Sequence, residues 1–121
     1  MSHGKKVLVV EDDELVSAIA ISMLERLGCV VYIAIDGPSA LEIMGRVEPD
    51  ILFTDITLPG GMDGLALAKA AQARQPGLRT IYVSGDIAAT IPPEGLGPYE
   101  RALGKPYRKA DLQRVLGELL E

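Results

Sequence analysis

The chain has 121 residues, with twelve Lys plus Arg against seventeen Asp plus Glu and a formal net charge of -5, which is the length of one domain of ordinary size. An apolar fraction of 48% supplies a core and excludes a disordered chain. The acidic balance excludes a nucleic-acid binder, whose affinity rests on Lys and Arg neutralising phosphates. The single cysteine, Cys29, excludes an intramolecular disulfide. With no long uncharged apolar run and no signal-peptide core, membrane insertion is not expected, and the chain reads as cytoplasmic.

In chain order, residues 1–4 form a polar leader that contains His3, and a single domain is expected over residues 5–121. Val7-Leu8-Val9-Val10 is a fully apolar run that ends in Glu11-Asp12-Asp13-Glu14, the pattern of a buried strand emptying into a polar loop. Val16, Ile19, Ala20, Met23, Leu24 and Leu27 then recur at helical spacing and predict one buried face, closed by Gly28. Cys29 to Ala34 reads as a second strand. Gly37-Pro38 starts a second helix with Ala40, Ile43, Met44 and Val47 inward and Pro49 as its breaker.

Ile51 to Thr54 is a third strand, ending at Asp55, and a turn rich in breakers follows at Leu58-Pro59-Gly60-Gly61. A third helix runs from Asp63 through Leu65, Leu67, Ala68 and Ala71 to Gln75-Pro76-Gly77. Thr80 to Val83 is a fourth strand ending in Ser84-Gly85-Asp86. The next stretch, with Pro92-Pro93, Gly95, Gly97 and Pro98, permits one short helix at most. Arg101-Ala102-Leu103 reads as a fifth strand before Gly104-Lys105-Pro106, and Leu112, Val115, Leu116 and Leu119 mark a terminal amphipathic helix.

Apolar strands alternating five times with amphipathic helices imply an α/β fold, a doubly wound, five-stranded parallel sheet of flavodoxin-like (βα)5 order 2-1-3-4-5 with helices on both faces. In such sheets functional groups collect beyond the carboxyl ends of the strands. Those ends carry Glu11 and Asp12, Asp55, Ser84 and Lys105, so all five are expected at one crevice. Three converging carboxylates repel one another unless a cation intervenes. An all-oxygen set without His or Cys favours a hard cation, and Mg²⁺, which takes one or two carboxylates plus waters and a phosphate oxygen, leaves one carboxylate free as a nucleophile. Ser84 and Lys105 stand where they can hold phosphoryl oxygens.

Val7-Leu8-Val9-Val10-Glu11-Asp12-Asp13, Phe53-Thr54-Asp55-Ile56-Thr57-Leu58-Pro59 with Gly60-Gly61-Met62-Asp63-Gly64, Ser84-Gly85 and Lys105-Pro106 together resemble the receiver domains of bacterial two-component response regulators. The resemblance runs from Lys5 onward with four motifs in the family's order. It implies a phosphorylation-controlled signalling domain in which Asp55 accepts a phosphoryl group from a sensor histidine kinase or a phosphotransfer protein, with Mg²⁺, and thereby alters binding to a downstream protein. It makes Asp12 the direct metal ligand, Glu11 a ligand through water, and Thr57 the donor of a backbone carbonyl. Ser84, Lys105 and the backbone N–H groups of Ile56 and Gly85 would hold the phosphoryl group, Thr57 and Asp86 would tune its lifetime, and Lys105-Pro106 would be cis. Such a domain phosphorylates and dephosphorylates itself and is not a multiple-turnover enzyme.

Two positions depart from the family pattern. Ala102 stands where an aromatic switch residue is usual, and the segment from Ile87 to Tyr99 is broken by prolines. The extra glycine in Pro59-Gly60-Gly61-Met62 is similar to receivers of hybrid sensor kinases and some stand-alone receivers. Two other readings stay open: a receiver-like interaction module that works without phosphorylation, and an aspartate-nucleophile phosphatase. Against the second, Thr57 stands where such phosphatases usually carry an acid/base aspartate. Residue by residue there are plainer readings: the run Glu11 to Glu14 as a helix start, Ser84-Gly85 as a turn, Lys105 as a surface charge, Cys29 as a buried strand residue, and Tyr99 and Tyr107 as packing or surface aromatics.

Overall fold

Four consecutive apolar residues can all be buried only in a strand covered on both faces, and Val7, Leu8, Val9 and Val10 are each fully buried. The computed structural model, which describes residues 4–91 and 95–120, places them in β1 (Lys6–Val10). The remaining elements are α1 (Glu14–Arg26), β2 (Val30–Ala34), α2 (Gly37–Met44), β3 (Ile51–Asp55), α3 (Gly64–Arg74), β4 (Arg79–Ser84), α4 (Ile87–Thr90), β5 (Glu100–Gly104) and α5 (Lys109–Leu120). All strand pairs are parallel, in the order β2-β1-β3-β4-β5, the expected doubly wound flavodoxin-like sheet.

Alternation along the strands sends side chains to two separate cores. Val7, Val9, Ile51, Phe53, Ile81 and Val83 meet α1 and α5 through Leu24, Leu112 and Leu116. Leu8, Val10, Leu52 and Tyr82 meet α2 and α3 through Ala40, Leu67 and Ala71. Burying each of the larger side chains contributes roughly 1.5–3 kcal/mol, so the two layers, one on each side of the sheet, hold it rigid beneath the crevice.

Helices α1, α2 and α3 are each started by an aspartate that satisfies orphan N–H groups. Asp13 caps α1, accepting from Leu15 and Val16 N–H at 2.9 and 3.1 Å. Asp36 forms a capping box with Ser39 at α2, and Asp63 caps α3 through Ala66 N–H at 2.8 Å.

The sequence reading is corrected at a few places. Ile19 is 55% exposed and lies outside the buried stripe of α1. Helix α2 ends at its cap, Gly45, so Val47 is not part of its face and Pro49 is not its breaker. The fourth helix forms as the one short helix the sequence allowed, a single turn. The leader residues Met1, Ser2 and His3, and Pro92 and Pro93, lie outside the described residues.

Candidate functional site

Asp55 is the last residue of β3 and is only 9% exposed. Both carboxylate oxygens are engaged: Oδ1 accepts the Thr57 N–H at 3.0 Å and Oδ2 accepts the Lys105 ammonium at 2.6 Å. Lys105, which follows β5, also stands 4.0 Å from Glu11 Oε1. Its peptide bond to Pro106 is cis. Burial works against the Lys105 charge, but the hydrogen bond and charge of Asp55, with Glu11 and Asp12 behind it, outweigh burial and raise its pKa.

Glu11 is buried at the end of β1, with 8% of its side chain exposed. Burial, then the neighbouring Asp55 carboxylate, which hydrogen-bonds the protonated form, push its carboxyl up to about 7, with Asp12 adding to the same direction and Lys105 opposing it. Asp12 is exposed at the rim. Among the described residues no three of His, Cys, Asp and Glu form an all-protein metal cage. The expected convergence of three carboxylates is therefore a close pair, Glu11 and Asp55, with Asp12 beside it. Zinc sites draw on Cys sulfur and His nitrogen, whereas Mg²⁺ is held by one or two carboxylates, a carbonyl and water, so this oxygen-only pair fits a hard cation.

Ser84 ends β4 and is buried; its Oγ accepts the Asp86 N–H at 3.1 Å, and its carbonyl accepts the Lys105 N–H at 2.8 Å, tying the two strand ends together. The Ile56 N–H, expected to face a phosphoryl group, instead donates to the Val83 carbonyl at 3.0 Å because the ladder between β3 and β4 continues past the strand. The amide that faces the Asp55 carboxylate is that of Thr57. Gly85 is exposed, and nothing lies within 4 Å of where a Cβ would stand.

Three contributions went unread in the sequence. The Thr54 hydroxyl donates to the Asp55 carbonyl at 2.8 Å. Gly64 closes the loop after β3, its N–H donating to the Ile56 carbonyl at 2.7 Å, and a Cβ there would lie 2.2 Å from the Asp55 carbonyl oxygen. The breaker-rich turn signalled a glycine-dependent loop but not which glycine bears on Asp55. The third is a polar cluster beside Ala102. Tyr82 is paired in register with Ala102 across β4 and β5, and its hydroxyl donates to Glu100 Oε2 at 2.6 Å. Gln72 Nε2 donates to the same oxygen at 3.0 Å and the Gly97 N–H to Oε1 at 2.8 Å.

These bonds outweigh burial and hold the Glu100 carboxyl below its usual range, while burial and then Glu100 raise the Tyr82 hydroxyl. The ring next to position 102 therefore comes from β4. Tyr107 packs edge-on against Phe53, and Tyr99 is stacked under Arg79, consistent with packing and surface roles.

The model of the response regulator receiver domain family matches residues 7–116. The response regulator receiver protein CpdR of Brucella abortus is 31% identical over 117 residues, which cover 96% of this chain and 97% of that protein. The solved CheY-like receiver domain from Methylobacillus flagellatus superposes with a TM-score of 0.86 at 28% identity, covering 96% of this chain and 98% of that one. The receiver domain of the sensor histidine kinase PA1611 from Pseudomonas aeruginosa, solved with a magnesium ion coordinated in its active site cleft, gives a TM-score of 0.82 at 24% identity, with 97% and 98% covered. With the family match spanning nearly the whole chain and CpdR similar end to end, the chain belongs to the response regulator receiver domains of two-component signalling.

Proposed function

We propose that Asp55 is the phosphoryl acceptor of a Mg²⁺-dependent transfer from a histidine kinase or phosphotransfer protein in the cytoplasm. The observation that carries this reading is the Asp55 carboxylate at the end of β3, held between the Lys105 ammonium at 2.6 Å and the Thr57 N–H at 3.0 Å, with buried Glu11 alongside.

The chemistry follows from charge. As the P–N bond of a phosphohistidine breaks and a bond forms from an Asp55 oxygen to phosphorus, the imidazole leaves and negative charge builds on the phosphoryl oxygens. Lys105 exchanges its hold on Asp55 for one of those oxygens, and the Ser84 hydroxyl and the Thr57 and Gly85 N–H groups are donors at the same end of the sheet. Asp12, one Asp55 oxygen and the Thr57 carbonyl would hold Mg²⁺, with Glu11 acting through water; when bound it supplies the positive charge that two neighbouring carboxylates and an incoming phosphoryl group require. Thr57 and Asp86 flank the acceptor and Ser84 on the solvent side, where they govern the approach of hydrolytic water.

A protein donor is supported by what borders Lys105. Val16, Ile19, Pro106 and Tyr107 line a groove of about 310 Å³ next to it, and Leu15 and Ile19 are 76% and 55% exposed on α1. Such a rim suits a protein surface that presents its histidine to the crevice.

The test is mass spectrometry after treatment with acetyl phosphate and Mg²⁺. One phosphoryl mass is expected on the wild-type chain and none on Asp55→Asn; a modified Asp55→Asn chain overturns the assignment. In addition, Ile19→Asp slows transfer from a phosphorylated kinase or phosphotransfer protein and leaves the acetyl phosphate reaction unchanged.

A further inference from the structure

Every residue of β3, Ile51-Leu52-Phe53-Thr54-Asp55, is buried. Thr54 is the odd member: fully buried, it turns to the same side of the sheet as Leu52, into the layer built by Leu8, Leu67 and Tyr82. Valine has the same shape and no polar atom to satisfy, so packing alone gives no reason for a hydroxyl at this position. Among the described residues that hydroxyl donates to one group, the carbonyl of Asp55, at 2.8 Å.

The bond holds the first of the two peptide units that carry the chain out of the strand. In the unit joining Asp55 to Ile56, the carbonyl accepts from Thr54 and the Ile56 N–H donates to the Val83 carbonyl at 3.0 Å. In the unit joining Ile56 to Thr57, the carbonyl accepts the Gly64 N–H at 2.7 Å and the Thr57 N–H donates to Asp55 Oδ1 at 3.0 Å. All the polar groups of both units are engaged, so neither plane turns without breaking a bond. Gly64 also presses close to the Asp55 carbonyl oxygen, which lies 2.2 Å from where its Cβ would stand.

The other supports come with the fold. Val83 belongs to the ladder between β3 and β4, Gly64 closes the loop at the start of α3, and Oδ1 belongs to Asp55 itself. Thr54 is the support that a change of side chain can remove at constant fold and nearly constant shape.

We infer that Thr54 is a positioning residue, whose hydroxyl fixes the Asp55–Ile56 peptide plane and thereby aims the Thr57 N–H at the Asp55 carboxylate. On the reading of Asp55 as the phosphoryl acceptor, on which this role rests, the aimed N–H meets the negative charge that develops on the phosphoryl oxygens. A donor already in place needs no reorganisation at that moment, whereas a misplacement of about 1 Å can slow a reaction on the order of a hundredfold. Thr54 itself acts only through the main chain.

The experiment compares Thr54→Val, which removes the hydroxyl at constant shape, with the pair Thr54→Ala and Thr54→Ser. Both members of the pair lack the methyl group and differ in the hydroxyl alone, so the comparison holds even where Thr54→Val folds poorly. Labelling by acetyl phosphate at saturating Mg²⁺ is followed by mass spectrometry and expressed per folded molecule, so that lost stability by itself does not register. Thr54→Val and Thr54→Ala are expected to label at least about fivefold more slowly than the wild type, and Thr54→Ser within about twofold of it. Amide hydrogen exchange is read in parallel without phosphodonor: the Ile56 and Thr57 N–H groups should exchange faster in Thr54→Val and Thr54→Ala, by a larger factor than the Leu52 N–H of the same strand. Wild-type labelling rates in Thr54→Val and Thr54→Ala, a serine variant as slow as the alanine one, or Ile56 and Thr57 amides that only keep pace with Leu52 overturn the inference. A wild type that takes up no phosphoryl group overturns the acceptor reading instead, and the exchange comparison then decides the role of Thr54 by itself.

Discussion

Glu11→Gln tests the electrostatics of the crevice most directly. The Glu11 carboxyl, 4.5 in an ordinary setting, is pushed up to about 7 in the folded metal-free protein. Below 4.5 the group is protonated whether the chain is folded or unfolded and has no effect on stability. Between 4.5 and about 7 the unfolded chain releases its proton while the folded one retains it, so stability falls with rising pH. Above about 7 both states are ionised and the full penalty remains. At about 1.4 kcal/mol per pH unit the loss is about 3 kcal/mol as an upper bound, since water at the crevice mouth screens part of it. Thermal unfolding without metal is therefore expected to show a melting temperature that declines from pH 5 to pH 8 in the wild type. Glu11→Gln should flatten that decline and melt several degrees higher at pH 8, at about 3–5 °C per kcal/mol for a domain of this size. Added Mg²⁺ should stabilise the wild type more at pH 8 than at pH 6, because ionised Glu11 then has a counter-charge, and the variant much less. Equal melting temperatures for the two proteins in metal-free buffer at pH 8 would refute the reasoning.

Three other substitutions probe the supports of the site. Gly64→Ala places a methyl group 2.2 Å from the Asp55 carbonyl oxygen, so urea unfolding should show a loss of about 2–3 kcal/mol, and acetyl phosphate labelling should slow in the fraction that remains folded. Tyr82→Phe removes one donor from the Glu100 carboxylate and should cost about 1–3 kcal/mol at pH 7; because Glu100 is stabilised in its charged form, that deficit exists above the ordinary carboxyl pKa and should shrink as pH falls through the lowered one. Asp13→Ala removes the cap of α1 and should cost about 1 kcal/mol while leaving Mg²⁺ affinity within a factor of about two, which separates the capping acid from the neighbours proposed as ligands.

Asp13 also shows what a sequence reading resolves. The run Glu11 to Glu14 allowed two explanations, a metal site and a helix start, and the structure divides the run between a helix start and the crevice. Asp13 caps the helix and Glu14 occupies its first turn, whereas Glu11 is buried against Asp55 and Asp12 is exposed. Strand order and crevice were legible because fully apolar strands require cover on both faces, and the right-handed crossover does the rest. Ile19 was misplaced because periodicity assigns an apolar residue to a face without asking whether anything covers that face. Val47 was misplaced because Gly45 ends its helix earlier than the apolar spacing suggests. The direction of the Ile56 N–H was illegible, since it depends on how far the ladder between β3 and β4 extends. The Tyr82, Gln72 and Glu100 cluster joins residues far apart in the chain, and only the register of β4 against β5 brings them together.

The Gly64 contact separates chemistry from decoration in this domain. Because the Gly64 N–H to Ile56 carbonyl bond closes the chain at 2.7 Å, residues 57–63 form a closed excursion whose two ends are fixed by the sheet and by α3. Its tip, Gly60-Gly61, takes φ values of +84° and +82° and touches nothing a side chain would meet. Loop-closure entropy grows slowly with length, so a segment inserted there costs about 0.6 kcal/mol per doubling. The rim of the crevice can thus be extended, shortened or fitted with a recognition sequence while Asp55 keeps its place, which makes this loop a natural graft point for engineered reporters or altered partner choice.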